Sequence, residues 1–333
     1  MQVLSGVPGM GYGRDFVSLI SYDLMGNKHD KVQTAIERLR AFEPEDGYYL
    51  AFSGGKDSQC IYHLAEMAGV KFDAHYRITS VDPPELVRFI KTQYPNVSMD
   101  YPRDKDGKVI TMWNLIPRKL MPPTRVVRYC CQYLKETGGK GRVVVTGVRW
   151  DESIRRNNTR GPVEIQSKKA AKIAAENGAD YYDNGKSGII LNLDNSPARR
   201  TVEQCFRTHN IIVNPIIDWL DEDVWDFLNN IAKVPHCRLY DQGHKRLGCI
   251  GCPMSYNRSR ELESYPKHKA AYLRAFRRML SERDARGRGT DAVFFKTPES
   301  VMDWFLEKAQ AVQAKLDGQM DIEDVMEGEY GDQ

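Results

Sequence analysis

Tyr48-Tyr49-Leu50-Ala51-Phe52-Ser53-Gly54-Gly55-Lys56-Asp57-Ser58 opens with five apolar residues in a row and ends on a glycine pair, a lysine, an aspartate and a serine. A short continuous apolar run after a turn signal, here Glu43-Pro44-Glu45-Asp46-Gly47, is the pattern of a strand buried on both faces. Downstream, Ile61, Leu64, Ala65 and Ala68 fall at helical spacing within Gln59 to Ala68, so the order is strand, loop, helix. A glycine pair at that junction lets the backbone curl until consecutive N–H groups and the positive helix end face a phosphate. Lys56 adds a mobile charge, and Ser53 and Ser58 add hydroxyl donors. Gly54, Gly55 and Lys56 are consecutive, which excludes a Walker A loop, where four residues separate the first glycine from the Gly-Lys pair.

Outward from this unit the alternation continues. Phe72 to Thr79 predicts a strand, Pro84 to Gln93 a helix, Val97 to Tyr101 a strand, and Val143-Val144-Val145-Thr146-Gly147 a strand that ends on a glycine. Ile189-Ile190-Leu191-Asn192-Leu193 predicts an extra strand, Ile211 to Ile217 another, and Asp221 to Ile231 a helix headed by Asp221 as N-cap, with Trp219 and Trp225 in the core. Strands and helices alternating at this length predict an α/β fold with a doubly wound, mainly parallel sheet and ligand sites at the carboxyl ends of its strands. Residues 1–45 read as a lead-in with one helix from Lys31 to Phe42. Residues 46–256 read as the nucleotide-binding domain with the cysteines, and residues 257–333 as a helical C-terminal extension with an acidic tail from Asp317.

A chain of 333 residues with 41% hydrophobic and 28% charged content is globular in composition, and a net charge of +3 leaves the choice of partner to local clustering. No run of about 18 uncharged apolar residues occurs, and Met1 to Met10 lack a basic region leading into an apolar stretch, so the expectation is a cytoplasmic protein with no membrane contact. Seven cysteines in such a compartment point to metal or redox chemistry rather than a disulfide framework. Cys249-Ile250-Gly251-Cys252 is a Cys-x-x-Cys pair, Cys130-Cys131 is a tandem pair, and Cys237 lies a short loop upstream of Cys249. Thiolates gathered from distant segments suit tetrahedral zinc or an iron–sulfur cluster. Lys245 and Arg246 are expected to place positive charge beside them, while Cys60 and Cys205 read as small buried hydrophobes.

Two basic features complete the reading. Arg149, Arg155 and Arg156 leave the strand that ends at Gly147 together, and guanidinium forks suit phosphate or sulfate oxygens. Lys267, His268, Lys269, Arg274, Arg277, Arg278, Arg283, Arg286 and Arg288 make a basic helical stretch with Tyr265, Tyr272 and Phe276 interleaved. This stretch is either a nucleic-acid contact or the solvated side of a helix that packs through Tyr272, Phe276, Met279 and Leu280.

Ser53 to Ser58 resembles the signature of the PP-loop ATP pyrophosphatases, a superfamily of HUP-type sheets that includes the phosphoadenosine phosphosulfate (PAPS) reductases and several sulfur-transfer enzymes. Thr79-Ser80-Val81-Asp82-Pro83-Pro84-Glu85-Leu86, Thr146-Gly147-Val148-Arg149-Trp150-Asp151-Glu152-Ser153 with Arg155, and Asn214 to Trp225 resemble further segments of the PAPS reductase branch. The resemblance spans about residues 48 to 255. It implies that Ser53, Gly54, Gly55, Lys56, Asp57, Ser58, Ser80, Asp82, Gly147 and Arg149 bind nucleotide, and that Lys56, Asp57, Arg149 and Arg155 act in catalysis. Sulfonucleotide reductases that carry a [4Fe-4S] cluster hold it with a Cys-Cys pair and a later Cys-x-x-Cys, which implies Cys130, Cys131, Cys249 and Cys252 here. A set that uses Cys237, and zinc in place of the cluster, stay open. DNA phosphorothioation sulfur-transfer proteins also pair this loop with a cluster.

Two departures from the reductases matter. Reductases attack sulfur with a cysteine near the C-terminus, and residues 253–333 contain none. Reductases also usually replace the loop lysine, which Lys56 retains. The resemblance therefore implies ATP with Mg²⁺ near Asp57, and pyrophosphate release that activates an acceptor for thiolation, with a cysteine desulfurase or similar protein as sulfur donor. A sulfonucleotide reductase releasing sulfite, or a nucleotide- and cluster-binding subunit without turnover, is the alternative.

Overall fold

The computed structural model describes residues 18–22, 26, 28–165, 167, 169–183, 188–191, 211–288 and 296–314. Cys205, the end of the predicted strand at Asn192-Leu193 and the acidic tail from Asp317 lie outside the described residues.

Two short antiparallel strands, β1 (Ile20–Tyr22) and β2 (Lys28–Asp30), precede helix α1 (Lys31–Ala41). Asp30 caps α1 by accepting from the amides of Val32 and Gln33. Then come β3 (Tyr48–Ala51), α2 (Lys56–Ala68), β4 (Phe72–Arg77), α3 (Pro84–Gln93) and β5 (Ser98–Asp100). All lie within a residue or two of the predicted boundaries except the start of α2, which takes in Lys56, three residues before the predicted Gln59. Helices α4 (Met112–Lys119) and α5 (Tyr129–Leu134) lead to β6 (Val144–Val145).

After a short 3₁₀ turn at Trp150–Glu152, the polar stretch folds as α6 (Ile154–Thr159), β7 (Val163–Ile165), α7 (Ala170–Glu176), β8 (Tyr181–Asp183) and β9 (Ile189–Leu191). β10 (Ile211–Val213) follows, then α8 (Asp221–Asp226), which widens into a π turn at Phe227–Ile231. The chain closes with α9 (Arg258–Ser264), α10 (Pro266–Ala285) and α11 (Pro298–Ala314).

The sheet has eight strands in the order β5-β4-β3-β6-β10-β7-β9-β8. β4 with β5, β3 with β6, and β6 with β10 are parallel. The amides of Tyr48 and Phe52 donate to the carbonyls of Lys71 and His75, an equal advance along both chains that makes β3 and β4 parallel too. β7, β9 and β8 extend the sheet antiparallel. β3 is buried over Tyr48, Tyr49 and Leu50, as a strand covered on both faces must be.

The chain divides into two compact units, each built from segments distant in sequence. Of the described residues, one holds those up to 50 with 56–72 and those within 141–235; the other holds 51–55, 73–140 and those from 236 onward. In the first, α1 and α8 pack on α2. The second has a helical core in which α4 and α11 pack on α10, around Leu115, Ile116, Tyr272, Phe276, Met279 and Phe305.

Candidate functional site

The turn between β3 and α2 needs its first glycine. Gly54 has φ +73°, and a Cβ there would come within 2.7 Å of the side chains of Leu86 and Ile90. The following residues open α2 with Lys56, Asp57 and Ser58 in its first turn, where backbone N–H groups lack intrahelical partners. Gly147, at the end of β6, is held close to this turn: a Cβ on it would lie 2.8 Å from the carbonyl oxygen of Asp57.

Around the start of α2 the structure gathers two cations and three carboxylates. The Lys56 ammonium is nearly buried and bonds Asp221. Arg149, only 2% exposed, donates from Nε to Asp57 at 2.6 Å, from Nη1 to Asp151 at 3.2 Å and from Nη2 to Asp221 at 2.9 Å. A further Nη1 bond reaches the Trp219 carbonyl at 3.3 Å. Burial pulls the Asp221 carboxyl upward, but its bonds to Lys56 and Arg149 outweigh that and hold it below the usual range. Burial opposes the charge on Arg149, and Asp57 and Asp221 more than restore it.

Chemically, two cations engaged by side-chain carboxylates are an arrangement that another anion can enter by taking the carboxylates' place. A polyphosphate offers the same cations more charge and more oxygens.

Of the predicted arginine clamp, Arg149 joins this cluster. Arg155 is exposed on α6, and Arg156 pairs with Glu152. Asp221 is not the N-cap expected of it. Leu220 holds that place, its amide taken by Asp223 at 2.7 Å, which leaves the Asp221 carboxylate for Lys56 and Arg149. Trp219 is fully buried, as predicted, and Trp225 is half-buried. Asp151 and Asp221 were the unrecognised members of the site. Both sit in segments already singled out, one after β6 and one after β10.

In the second unit the thiols of Cys130, Cys131, Cys249 and Cys252 influence one another. A hydrogen bond with Cys131 is the main force raising the Cys130 thiol, with burial, Cys249 and Cys252 adding to it. The same bond pulls the Cys131 thiol down, helped by Lys135 and Arg128. Burial, then Cys249, raises Cys252. Cys237 is fully buried among different neighbours, Glu85, Arg238 and Asp241. Cys60 packs as a small hydrophobe, its sulfur 3.7 Å from the Val224 carbonyl.

A cation beside the thiols is Lys135. Cys249 above all raises the Lys135 ammonium, with Asp82 and Cys131 also contributing; Lys245 and Arg246, expected there, are exposed, as Lys135 is. Thr79 connects strand end to thiol: its hydroxyl donates to Asp82 at 2.7 Å and lies 3.5 Å from the Cys249 sulfur. Ser80, in the left-handed region at φ +67°, accepts from the Met112 amide at 2.9 Å. Of the two residues expected beside the nucleotide, Ser80 holds the first residue of α4 and Asp82 holds Thr79. Arg258 fixes the Cys-x-x-Cys turn, donating to the carbonyls of Cys252 at 3.1 Å and Pro253 at 2.7 Å.

Among the described residues no group of three or more His, Cys, Asp or Glu side chains is drawn together closely enough to hold a metal ion. Four ligands of a [4Fe-4S] cluster bind separate irons and stand further apart than those of one ion. Four coupled thiols with a lysine ammonium among them fit that group by donor chemistry. No helix among the described residues is long and apolar enough to cross a membrane.

The family model described as the phosphoadenosine phosphosulfate reductase domain matches residues 47–255. An uncharacterized protein of Methanocaldococcus jannaschii is 27% identical over 250 residues, which are 72% of this chain and 50% of that protein, so the chain spans half the length of this relative. The crystal structure of PAPS reductase from Candida auris in a phosphate complex aligns with a TM-score of 0.40 at 15% identity, covering 65% of this chain and 88% of that one. With the family model matching well over half of its residues, this chain belongs to the phosphoadenosine phosphosulfate reductase family.

Proposed function

We propose that the chain is an ATP-dependent sulfurtransferase of this family that releases pyrophosphate to activate an acceptor for thiolation. The observation that carries the reading is Lys56: a nearly buried ammonium in the first turn of α2, held beside Arg149 by the shared carboxylate of Asp221. A cation so placed, at the positive end of a helix, suits a β,γ-phosphate that leaves as pyrophosphate.

In the proposed reaction an acceptor oxygen attacks the α-phosphorus. The bond to the β-phosphate breaks, and pyrophosphate departs against Lys56, Arg149 and the start of α2. A sulfur nucleophile from a donor then attacks the adenylated centre, and AMP leaves with the acceptor oxygen. Asp57, with the phosphates, would hold Mg²⁺. Cys130, Cys131, Cys249 and Cys252 would hold the iron–sulfur cluster, which would supply a site for binding or activating sulfur. Nucleic acid is the proposed acceptor: on α10, Lys267, Arg274, Arg277 and Arg278 are exposed while Tyr272, Phe276 and Met279 pack inward.

The test is pyrophosphate release from ATP. Lys56→Ala is expected to lower the rate about 100-fold or more, the usual scale for removing one preorganised charge-stabilising group. An unchanged rate would remove the assigned role of the loop.

The hydrogen-bonded Cys130–Cys131 pair supports a second reading, sulfonucleotide reduction. The Cys131 thiolate would take the sulfonate from PAPS, releasing adenosine 3′,5′-bisphosphate. The Cys130 thiol would then displace sulfite and close a disulfide, which an external thiol must reduce. Sulfite from PAPS without pyrophosphate from ATP would select it.

A further inference from the structure

The Cys-x-x-Cys turn is held from beyond the residues that the family model matches. That match ends at residue 255, and α9 starts at Arg258. From α9, Arg258 donates to the carbonyls of Cys252 at 3.1 Å and Pro253 at 2.7 Å. Glu261, on the same helix, accepts from the Gly251 amide at 3.0 Å and from the Ser255 hydroxyl. From α10, the Tyr272 hydroxyl donates to the Ile250 carbonyl at 3.0 Å. Each residue from Ile250 to Pro253 thus bonds a side chain of the C-terminal helices through its backbone, while the Ile250 amide donates to the Val81 carbonyl at 2.8 Å.

Arg258 and Glu261 stand three residues apart on one helix, the spacing at which opposite charges pair. Instead each bonds the turn. Arg258 is 3% exposed. Its Nη1 reaches the Phe305 carbonyl on α11, and the guanidinium lies 4.4 Å from the centroid of the Phe305 ring. All of these acceptors are carbonyls, which satisfy its donors but carry no net charge. A buried cation is costly in such a place unless an anion stands nearby. Burial holds the guanidinium below its ordinary pKa, and Cys252 leads the groups that favour its charge, ahead of Tyr272 and Glu261.

A helix that needed only a tether to this turn could use neutral side chains. Four thiolates around a [4Fe-4S] core make a net anion, whose potential depends on the charges fixed around it. The turn that Arg258 and Glu261 bond carries two of the four thiols, so both charges are fixed in place relative to Cys249 and Cys252.

We infer that α9 is the positioning element of the thiol site: Arg258 and Glu261 hold the turn that carries Cys249 and Cys252, and their opposite charges set the potential of the metal group on the four thiols. The inference rests on reading those thiols as a cluster site, and it assigns the tuning of that site to residues outside the matched domain.

The experiment uses the full chain purified without oxygen, with two readouts: the rate at which a chelator removes iron, and the midpoint potential of the iron chromophore in an optical redox titration. Arg258→Gln keeps donors for the carbonyls but loses the positive charge that favours the more negative, reduced state, so its potential is expected to fall. Glu261→Gln keeps an acceptor for the Gly251 amide but loses the negative charge, so its potential is expected to rise. Arg258→Lys keeps the charge without the guanidinium fork and should stay near the wild-type potential. Both Arg258 variants should release iron about tenfold faster, the scale on which residues that hold metal ligands act. Arg283→Gln, which breaks a bond to the Leu120 carbonyl near the far end of α10, should change neither readout.

Shifts of opposite sign in the two Gln variants support the inference. Shifts of the same sign, or none in Glu261→Gln, overturn it, since loosening of the turn alone would move both the same way. Iron release at the wild-type rate from both Arg258 variants overturns it as well, and so does an equal response of Arg283→Gln. Should Arg258→Gln fail to fold, Glu261→Gln carries the sign and Arg258→Lys the release rate. Wild type that binds iron beside unshifted variants removes this inference alone. Wild type that binds no iron removes the cluster reading with it.

Discussion

Asp221 serves two cations at once, and its side chain remains half exposed while those of Lys56 and Arg149 are almost fully covered. Covered cations without their carboxylates would be costly, and the partly exposed carboxylates without Arg149 less so. Arg149→Met is therefore expected to destabilise the fold by about 3 kcal/mol, the lower end for a broken buried ion pair because Asp57, Asp151 and Asp221 keep some water. Arg149→Lys should fall between, since one ammonium cannot span three carboxylates. Urea unfolding measures both, and an unshifted midpoint for Arg149→Met would show that the carboxylates are not held by it. None of this pairing was legible locally. Asp221 reads as a helix cap because that is what an aspartate before a helix usually does, and its true partner, Lys56, lies 165 residues away.

Strand, loop and helix from Tyr48 to Ala68 were legible because a continuous apolar run and a 3.6-residue period are each distinctive. The antiparallel extension was not. β7, β8 and β9 have three residues each, too short to show alternation, and they owe their existence to pairing with one another and with β10. Within that extension, Glu164 is 1% exposed, 2.8 Å from Arg160, and accepts from Asn214 at 2.7 Å. Burial raises its carboxyl above the ordinary range despite Arg160 and Asn214. A carboxyl raised on folding binds its proton more readily in the native state. Its contribution to stability therefore grows as pH falls through the folded pKa and levels off below the unfolded value of about 4.3. The stability of wild type relative to Glu164→Gln should rise over that window in urea titrations at stepped pH, and a pH-independent difference would refute the assignment.

At the scale of the whole molecule, cysteine spacing named the candidates, but only the tertiary arrangement divides them. Cys130, Cys131, Cys249 and Cys252 act on one another, while Cys237 faces Glu85 and Arg238. Protein purified without oxygen is expected to be brown and to contain roughly four irons per chain. Cys249→Ser should lose that iron and Cys237→Ser should keep it; a colourless wild type with bound zinc would exclude the cluster.

The same arrangement sets a clock on assembly. Cys131 and Cys249 are 118 residues apart in a chain whose compact units are each stitched from separate segments. A ribosome adding about 5–20 residues per second needs roughly 6–24 seconds to pass from one to the other. Throughout that interval the tandem thiols are already made and their partners do not exist, so any shared cofactor must be installed after most of the chain has been synthesised.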